Sequence, residues 1–508
     1  MPDTTVPSRP GQPGRRLADL PGPRPLPVLG NLHQMERIRV HQDMEDWSRQ
    51  YGSLFRVTVP GVAMLVVADP ELIKQALRAR PATFRRPAVT AQVAAEMGGV
   101  PGVFEAEGAA WRNQRQMVMQ AFAPHAVKAY FPALVQVAQR LQRRWEAAAA
   151  AQRPIDLGAE LRLYTVDIVA GLAFGSDVNT IETGDHAIQR NLDEILPAIA
   201  RRSMAAFPYW RYVKLPRDRS VEQCVVRTRV AVDDLVAQAR ERLRAEPARA
   251  ARPPNMLEAM LVAAAREGSG VTERDVAGNV LTMLLAGEDT TSNSLAWLIY
   301  LLHGHPDVLQ RARDDVLRIA PDVGALTIEQ VDQLDFVEAC AHEALRLKPP
   351  AAFIPLEALA DTEVGDVAIA RGTIVWCVMR AGSLDDTWFA NAAQFAPQRW
   401  LDDTLDKKAS MPFGAGPRTC PGRYLALLEM KVAIAMLLAR FDILSVATRH
   451  GGAPREKMGF VMEPEALQMR LRAREPDAGS VAAAPDAQVA IAPALPVTTP
   501  LQAAQRIP

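Results

Sequence analysis

Residues 413–422 read Phe413-Gly414-Ala415-Gly416-Pro417-Arg418-Thr419-Cys420-Pro421-Gly422 and run directly into the apolar segment RYLALLEMKVAIAMLLARF (423–441). That segment has a helical period, so Cys420 stands just ahead of a helix N-terminus, with Arg418 two residues away. A helix dipole and a guanidinium both favour thiolate over thiol. Gly414, Gly416 and Gly422 carry no Cβ, so the backbone can pass close to something flat or bulky and turn its N–H groups toward the sulfur. A lone thiolate with open donors and no second Cys or His beside it suits one axial ligand of a heme iron. Two other readings fit the same residues: a structural cysteine buried in a glycine-rich turn, and a nucleophilic thiol, although no His with triad logic can be named.

Upstream, residues 272–303 form the clearest helical run. Thr272 followed by Asp275 fits an N-cap pair, and Gly304 with Pro306 stops the helix. About 30 residues at ~1.5 Å each give a rod of roughly 45 Å, long enough to cross a domain. Its flanks, VLTMLLAG (280–287) and LAWLIYLL (295–302), are apolar all round, yet Glu288-Asp289-Thr290-Thr291-Ser292-Asn293-Ser294 between them is polar throughout. Burying those groups without partners costs several kcal/mol, and Gly287 just before them is a poor helix former. The stretch reads either as a solvated turn of a surface helix or as a locally opened helix. In the second case its Thr and Asp side chains face a polar cavity, where alcohol and carboxylate form a proton relay.

Composition bounds the rest. The chain has 508 residues, 49% hydrophobic and 23% charged, which is too apolar for intrinsic disorder throughout. Lys plus Arg (58) equals Asp plus Glu (58), so the basic excess of a nucleic-acid binder is absent. Cys224, Cys340, Cys377 and Cys420 are far apart and form no CxxC pair. That argues against a disulfide framework or structural zinc and fits a reducing, cytoplasmic location. The N-terminus shows no signal-peptide h-region, and the apolar stretches 295–302 and 432–439 fall far short of the roughly 20 residues of a spanning helix. Residues 1–20 and 474–508, rich in Pro with Arg and Gly or with Ala and Gln, read as disordered arms around a single domain, 21–473. The Pro-rich stretch 21–32 reads as a stiff, extended lead-in. Hairpins are expected from 54–59 with 63–68 around Pro60-Gly61, and from 363–370 with 374–379 around Arg371-Gly372. The fold class is mainly α with small β-sheets.

These residues reach a family. The string F-x-x-G-x-R-x-C-x-G is matched in full from Phe413 to Gly422 and resembles the heme-binding loop of the cytochrome P-450 superfamily, in its soluble bacterial type. Ala286-Gly287-Glu288-Asp289-Thr290-Thr291 resembles the oxygen-activation motif, and Glu343-Ala344-Leu345-Arg346 the ExxR helix. Phe395-Ala396-Pro397-Gln398-Arg399-Trp400 resembles the partner segment of that helix, and Trp111-Arg112-Asn113-Gln114-Arg115 the WxxxR propionate helix. ExxR alone is weak, because any exposed helix can carry an i, i+3 ion pair, but the five motifs stand in family order across residues 21–473. The resemblance implies the cytochrome P-450 fold, with heme b (iron protoporphyrin IX) between the long central helix and the Cys loop. It implies a heme-thiolate monooxygenase that inserts one oxygen atom from O2 into an apolar small molecule by hydroxylation or epoxidation. The rival readings are a peroxide-driven or isomerising heme-thiolate enzyme, which tends to lack the acid–alcohol pair, and a non-catalytic heme sensor.

The same resemblance assigns roles. Cys420 is the metal ligand; Asp289 and Thr290 are catalytic and deliver protons; Ala286 and Gly287 open the groove for oxygen. Trp111, Arg115 and Arg418 hold the propionates, Phe413 shields the thiolate, and Glu343, Arg346 and Arg399 form a structural ion triad. Trp297, Trp376 and Trp388 are read as core packing. Two departures stand out: Leu356 replaces a common propionate-binding arginine, and Gln398 a common Glu. The contact regions 85–107, 186–214, 282–289, 351–356 and 460–462 are mostly apolar, hence the apolar substrate. Arg85-Arg86 reads as a solvated pair or as a carboxylate clamp. Electrons are expected from a separate ferredoxin or flavodoxin and an NAD(P)H-dependent reductase, steered by Arg112, Lys407, Lys408 and Arg423.

Overall fold

A computed structural model describes residues 14–175, 177–184, 187–203, 205 and 207–474. The central helix is Glu273–Gly304, 32 residues. Thr272 caps it: its Oγ1 accepts from the Asp275 N–H at 3.2 Å, while Asp275 Oδ2 accepts from the Thr272 N–H at 2.8 Å. Helices Leu157–Phe174, Asp335–Leu347 and Arg423–Arg440 pack against it. Leu295, Ala296, Leu298 and Leu302 are wholly buried in that contact layer. Among the described residues, no helix is long and apolar enough to cross a membrane.

The polar stretch is neither a solvated turn nor an opened one. The helix runs unbroken through 288–294, and Glu288 and Thr291 to Ser294 are buried rather than solvated. The side chains find partners on neighbouring backbone. Thr290 Oγ1 donates to the Ala286 carbonyl at 2.6 Å and Ser294 Oγ to the Thr290 carbonyl at 2.7 Å. Thr165 Oγ1 of the neighbouring helix donates to the Glu288 carbonyl at 3.2 Å. Such back-bonds satisfy hydroxyls without opening the ladder.

A five-stranded sheet flanks the helices in the order Leu54–Val59, Val62–Val67, Ile374–Val378, Phe353–Ala358, Phe84–Arg85. The first hairpin forms as expected, with Gly61 at φ +76° in its turn. The second does not. Thr362–Val364 folds back on Val367–Ile369 around Gly365 (φ +61°), while Ile374–Val378 pairs with Val62–Val67 and Phe353–Ala358. The tight turn at Gly365 takes up the strand expected to reach Arg371-Gly372.

The N-terminal arm is shorter than composition suggests. Arg15–Arg16 pairs in parallel with Val367–Ile369, Arg15 ion-pairs with Asp366 at 2.7 Å, and Leu20 is buried. Arg474, assigned to the C-terminal tail, still donates its N–H to the Arg440 carbonyl at 2.9 Å. Residues 1–13 and 475–508 lie outside the described residues.

One buried ion network joins distant segments. Arg380 Nε and Nη2 each donate to Glu45 at 2.8 Å, and its Nη1 and Nη2 donate to Glu456 at 2.8 and 2.9 Å. Glu456 also pairs with His41 Nε2 at 2.8 Å and with Lys348. Although burial opposes it, these partners hold the Glu456 carboxyl far below the usual range and the Arg380 guanidinium above its own. The network ties helix Val40–Tyr51 to strand Glu456–Met458 and to the end of helix Asp335–Leu347.

Candidate active site

The Cys loop is built around glycine. Gly416 has φ +71°, and a Cβ there would stand 2.8 Å from Arg78 Cα. The Cys420 N–H donates to the Phe413 carbonyl at 2.9 Å, closing the loop three residues before helix Arg423–Arg440 begins. Cys420 is exposed, whereas Cys224, Cys340 and Cys377 are buried. The residue is exposed, while its thiol lies deep among protein atoms. That burial raises its thiol pKa, outweighing the Gly422 N–H and the Arg115 and Arg423 charges that favour thiolate. A nucleophilic cysteine needs the opposite shift, whereas a metal ion deprotonates its thiol ligand outright.

Around this loop lies a cationic cradle. Helix Gly108–Ala121 brings in Trp111 and Arg115. Arg115 Nη2 donates to the Thr419 carbonyl at 2.6 Å, and the Arg418 guanidinium lies 4.6 Å from the Trp111 ring centroid. Arg418 Nη2 donates to the Ala106 carbonyl at 2.6 Å and to Glu107 at 2.5 Å. A third guanidinium, which the sequence reading missed, joins them: Arg80 is 4% exposed, with Nη2 3.8 Å from Glu107. Two guanidiniums, Arg418 and Arg80, thus share the Glu107 carboxylate with Arg115 close by, and the Nε of Arg80, its Nη2 and the Nε of Arg418 are buried without hydrogen-bond partners. Burial lowers the pKa of all three arginines, and burial together with the Arg80 charge brings Arg418 down to about 10. Surplus buried cations with unfilled donors fit an anionic group. Heme b brings two carboxylates for this cradle and an iron for an accessible cysteine, so the donor set fits it. Leu356, by contrast, is wholly buried in an apolar cluster with Leu65, Leu77 and Val375.

The central helix is locked to the cradle. Gln114 Nε2 donates to Asp275 at 2.8 Å, Asn279 Nδ2 donates to Gln114 at 3.0 Å, and the Val103 N–H donates to Asn279 at 2.8 Å. On that helix Ala286 is exposed, while Asp289 and Thr290 are half-buried. A Cβ at Gly287 would stand 2.6 Å from Val169 Cγ2, so its missing side chain lets helix Leu157–Phe174 approach. Glu463, on strand Met462–Pro464 against the central helix, has its carboxyl raised by burial, with Arg162 opposing and the Asp289 charge adding to the rise.

Behind the Cys loop, Glu343 and Arg346 are both 0% exposed. Arg346 bonds Glu343 through two nitrogens at 2.7 and 2.8 Å, and Arg399 Nε and Trp400 Nε1 add bonds at 3.1 and 2.8 Å. Arg346 also donates to the carbonyls of Ser383, Ala392 and Gln394. Trp297 and Trp376 are buried and Trp388 packs beside Phe389. Arg85 and Arg86 are neither a solvated pair nor a joint clamp. Arg85 pairs with Glu357 at 2.5 Å, and the Arg86 guanidinium lies 3.4 Å from the Phe104 ring centroid. A cavity of about 420 Å³ lies beside the central helix, walled by Met97, Ile195, Ile199, Val232, Leu281 and Leu285 among others.

The family model described as Cytochrome P450 matches residues 20–471. The chain belongs to the cytochrome P450 family. It is therefore a cytochrome P450 monooxygenase with a heme cofactor. It is 29% identical to "Cytochrome P450 714D1" of Oryza sativa subsp. japonica, over 85% of this chain and 78% of that protein. It is 25% identical to a "Cytokinin hydroxylase" of Arabidopsis thaliana, over 84% and 86%. The crystal structure of the cytochrome P450DA heme domain superposes with a TM-score of 0.79 at 25% identity, covering 91% of this chain and 99% of that one. The P450 fold expected from the motifs is therefore the observed one; the expected bacterial type is not what these plant relatives speak to.

Proposed function

We propose that this P450 hydroxylates or epoxidises an apolar small molecule bound in the cavity beside the central helix. The observation that carries the proposal is the Asp289-Thr290 pair on the helix whose earlier turns, Leu281 and Leu285, wall that cavity. Cys420 ligates the iron, and Trp111, Arg115, Arg418 and Arg80 hold the propionates; Phe413 closes the loop over the thiolate. When bound, heme supplies the iron centre at which O2 is activated. The chain supplies the protons. Thr290 Oγ1 keeps its own hydrogen on the Ala286 carbonyl, so its lone pairs are free to accept a hydrogen bond and so hold a proton-carrying group in place beside Asp289. The apolar wall excludes water that would otherwise compete for them. A hydroxylase among the relatives supports the reaction type. A peroxide-driven enzyme would not need the Asp289-Thr290 pair.

Thr290→Ala removes the alcohol and leaves the helix. Product formed per NAD(P)H is expected to fall about tenfold or more, the electrons appearing as peroxide or water; normal coupling would overturn the relay. Arg80→Leu removes a charge-assisted partner worth about 1.5–3 kcal/mol, so heme transfer to apomyoglobin is expected to run at least tenfold faster. Transfer at the wild-type rate would remove Arg80 from the cradle.

The electron donor in this reading is a separate acidic ferredoxin or flavodoxin with its NAD(P)H-dependent reductase, and the location is cytoplasmic. Arg112 and Arg423 are exposed on either side of the Cys loop, whereas Lys407 donates to the Trp400 carbonyl and Lys408 pairs with Asp406. A carbonyl acceptor leaves the Lys407 charge in place, so steering rests on Arg112, Arg423 and Lys407. Arg112→Glu with Arg423→Glu is expected to slow reduction by an acidic ferredoxin at low salt and to lose that effect at high salt; rates equal to wild type at low salt would count against it.

A further inference from the structure

The cavity wall carries a carboxyl that the proposed proton relay does not use. Glu105 lies on the loop between helices Ala88–Glu96 and Gly108–Ala121 and lines the cavity. The loop is held on both sides of it: the Val103 N–H donates to the fully buried Asn279, and the Ala106 carbonyl accepts from Arg418. Of the other charged wall residues, Arg240 pairs with Glu273 and Arg229 with Asp233, which leaves Arg274. Glu105 accepts a long hydrogen bond from the Gly102 N–H at 3.3 Å, and no side chain among the described residues hydrogen-bonds or ion-pairs with it. Arg86 is engaged elsewhere, donating Nε to the Phe104 carbonyl at 2.7 Å. Burial raises the Glu105 carboxyl pKa, with Arg86 opposing. Glu105 is half-buried and its oxygens meet only backbone N–H groups, so a ligand that covers it can add a hydrogen bond there.

We propose that Glu105 determines specificity in this cavity by hydrogen-bonding a neutral hydroxyl group on an otherwise apolar substrate. This rests on the reading of the cavity as the substrate site. An alcohol matches the position better than an amine does. A carboxyl held toward its neutral form can donate as well as accept, and an ammonium would have to be desolvated with the Arg86 charge close by. The apolar wall takes the hydrocarbon, and the single polar contact sets which end of the ligand lies deepest.

The test uses the full-length, heme-loaded enzyme and reads binding from the spin-state shift of the Soret band. The probes are two sets: 1-adamantanol, 1-methoxyadamantane and adamantane; decan-1-ol, 1-methoxydecane and decane. In at least one set the alcohol is expected to bind about tenfold tighter than the ether and the hydrocarbon, the worth of one hydrogen bond to a buried group. Glu105→Leu is expected to shrink that preference to within about twofold, and Glu105→Gln, which still accepts, to keep part of it. The same preference in Glu105→Leu overturns the assignment. So does equal binding of alcohol and ether by the wild type, a comparison that needs no variant to fold, and so does failure of both sets to bind. A wild-type protein without the carbon-monoxide band of thiolate ligation would sink the heme-site reading itself. A normal band with no alcohol preference sinks only Glu105.

Discussion

Cys420→Ser is expected to abolish the red-shifted Soret band of the reduced, carbon-monoxide-treated protein and all O2-dependent turnover. The exchange is close to isosteric, and the contact that shapes the loop, the Cys420 N–H on the Phe413 carbonyl, is backbone to backbone. Trp111, Arg115, Arg418 and Arg80 stay in place, so the cradle for the propionates survives. What changes is the ligand: a serine hydroxyl is a far weaker acid than a thiol and does not provide the soft, electron-rich donor that favours O–O cleavage. Heme is therefore expected in the purified variant, in reduced amount and with its carbon-monoxide band at the position of a non-thiolate complex. A variant that keeps the thiolate band would move the iron ligand away from residue 420 and undo the functional reading with it.

The second large effect is on folding. Arg346→Leu leaves Glu343 buried with only Arg399, Trp400 and the Ala396 N–H as partners, and strips a donor from two buried carbonyls, Ser383 and Ala392, and from the part-buried one of Gln394. Removing one member of a buried pair costs about 3–5 kcal/mol, a large share of the roughly 5–15 kcal/mol that keeps a protein folded. Most of the folded heme protein should be lost on expression. Arg346→Lys should recover little, because a point-like ammonium cannot reach two carboxylate oxygens and three carbonyls from one position. An unfolding free energy within 1 kcal/mol of wild type, read from urea denaturation, would show that the triad is dispensable.

How much of this was legible in sequence follows from range. The central helix announces itself locally through its period and through Thr272 and Asp275, and the structure ends it within one residue of expectation. The Cys loop and the Glu343–Arg346 pair are equally local. What failed depended on partners far away in the chain. Strand 374–378 was matched with its nearest neighbour, but its pairing is with 353–358 and 62–67, and no local signal distinguishes those. Arg80 carries no periodicity or motif; only the approach of Glu107 and Arg418 makes it part of the cradle. Arg15–Arg16 reads as an arm because its partner strand lies about 350 residues later. The close approach of helix Leu157–Phe174 at Gly287 likewise depends on Val169, more than a hundred residues earlier. The polar run after Gly287 was misread because hydroxyl groups on a helix can be satisfied by the carbonyl one turn back.

The network around Arg380 decides how far the chain can be trimmed from its front. Deleting through Arg16 removes a two-residue strand pairing and two exposed ion pairs, Arg15 with Asp366 and Arg16 with Asp19, and surface pairs of that kind carry at most about 1 kcal/mol each. Deleting through helix Val40–Tyr51 takes Glu45 and His41 with it, leaving Arg380 and Lys348 to share one carboxylate in the interior. The practical cloning boundary for a shortened or fused version of this enzyme therefore lies upstream of residue 40, and an affinity tag belongs ahead of that point.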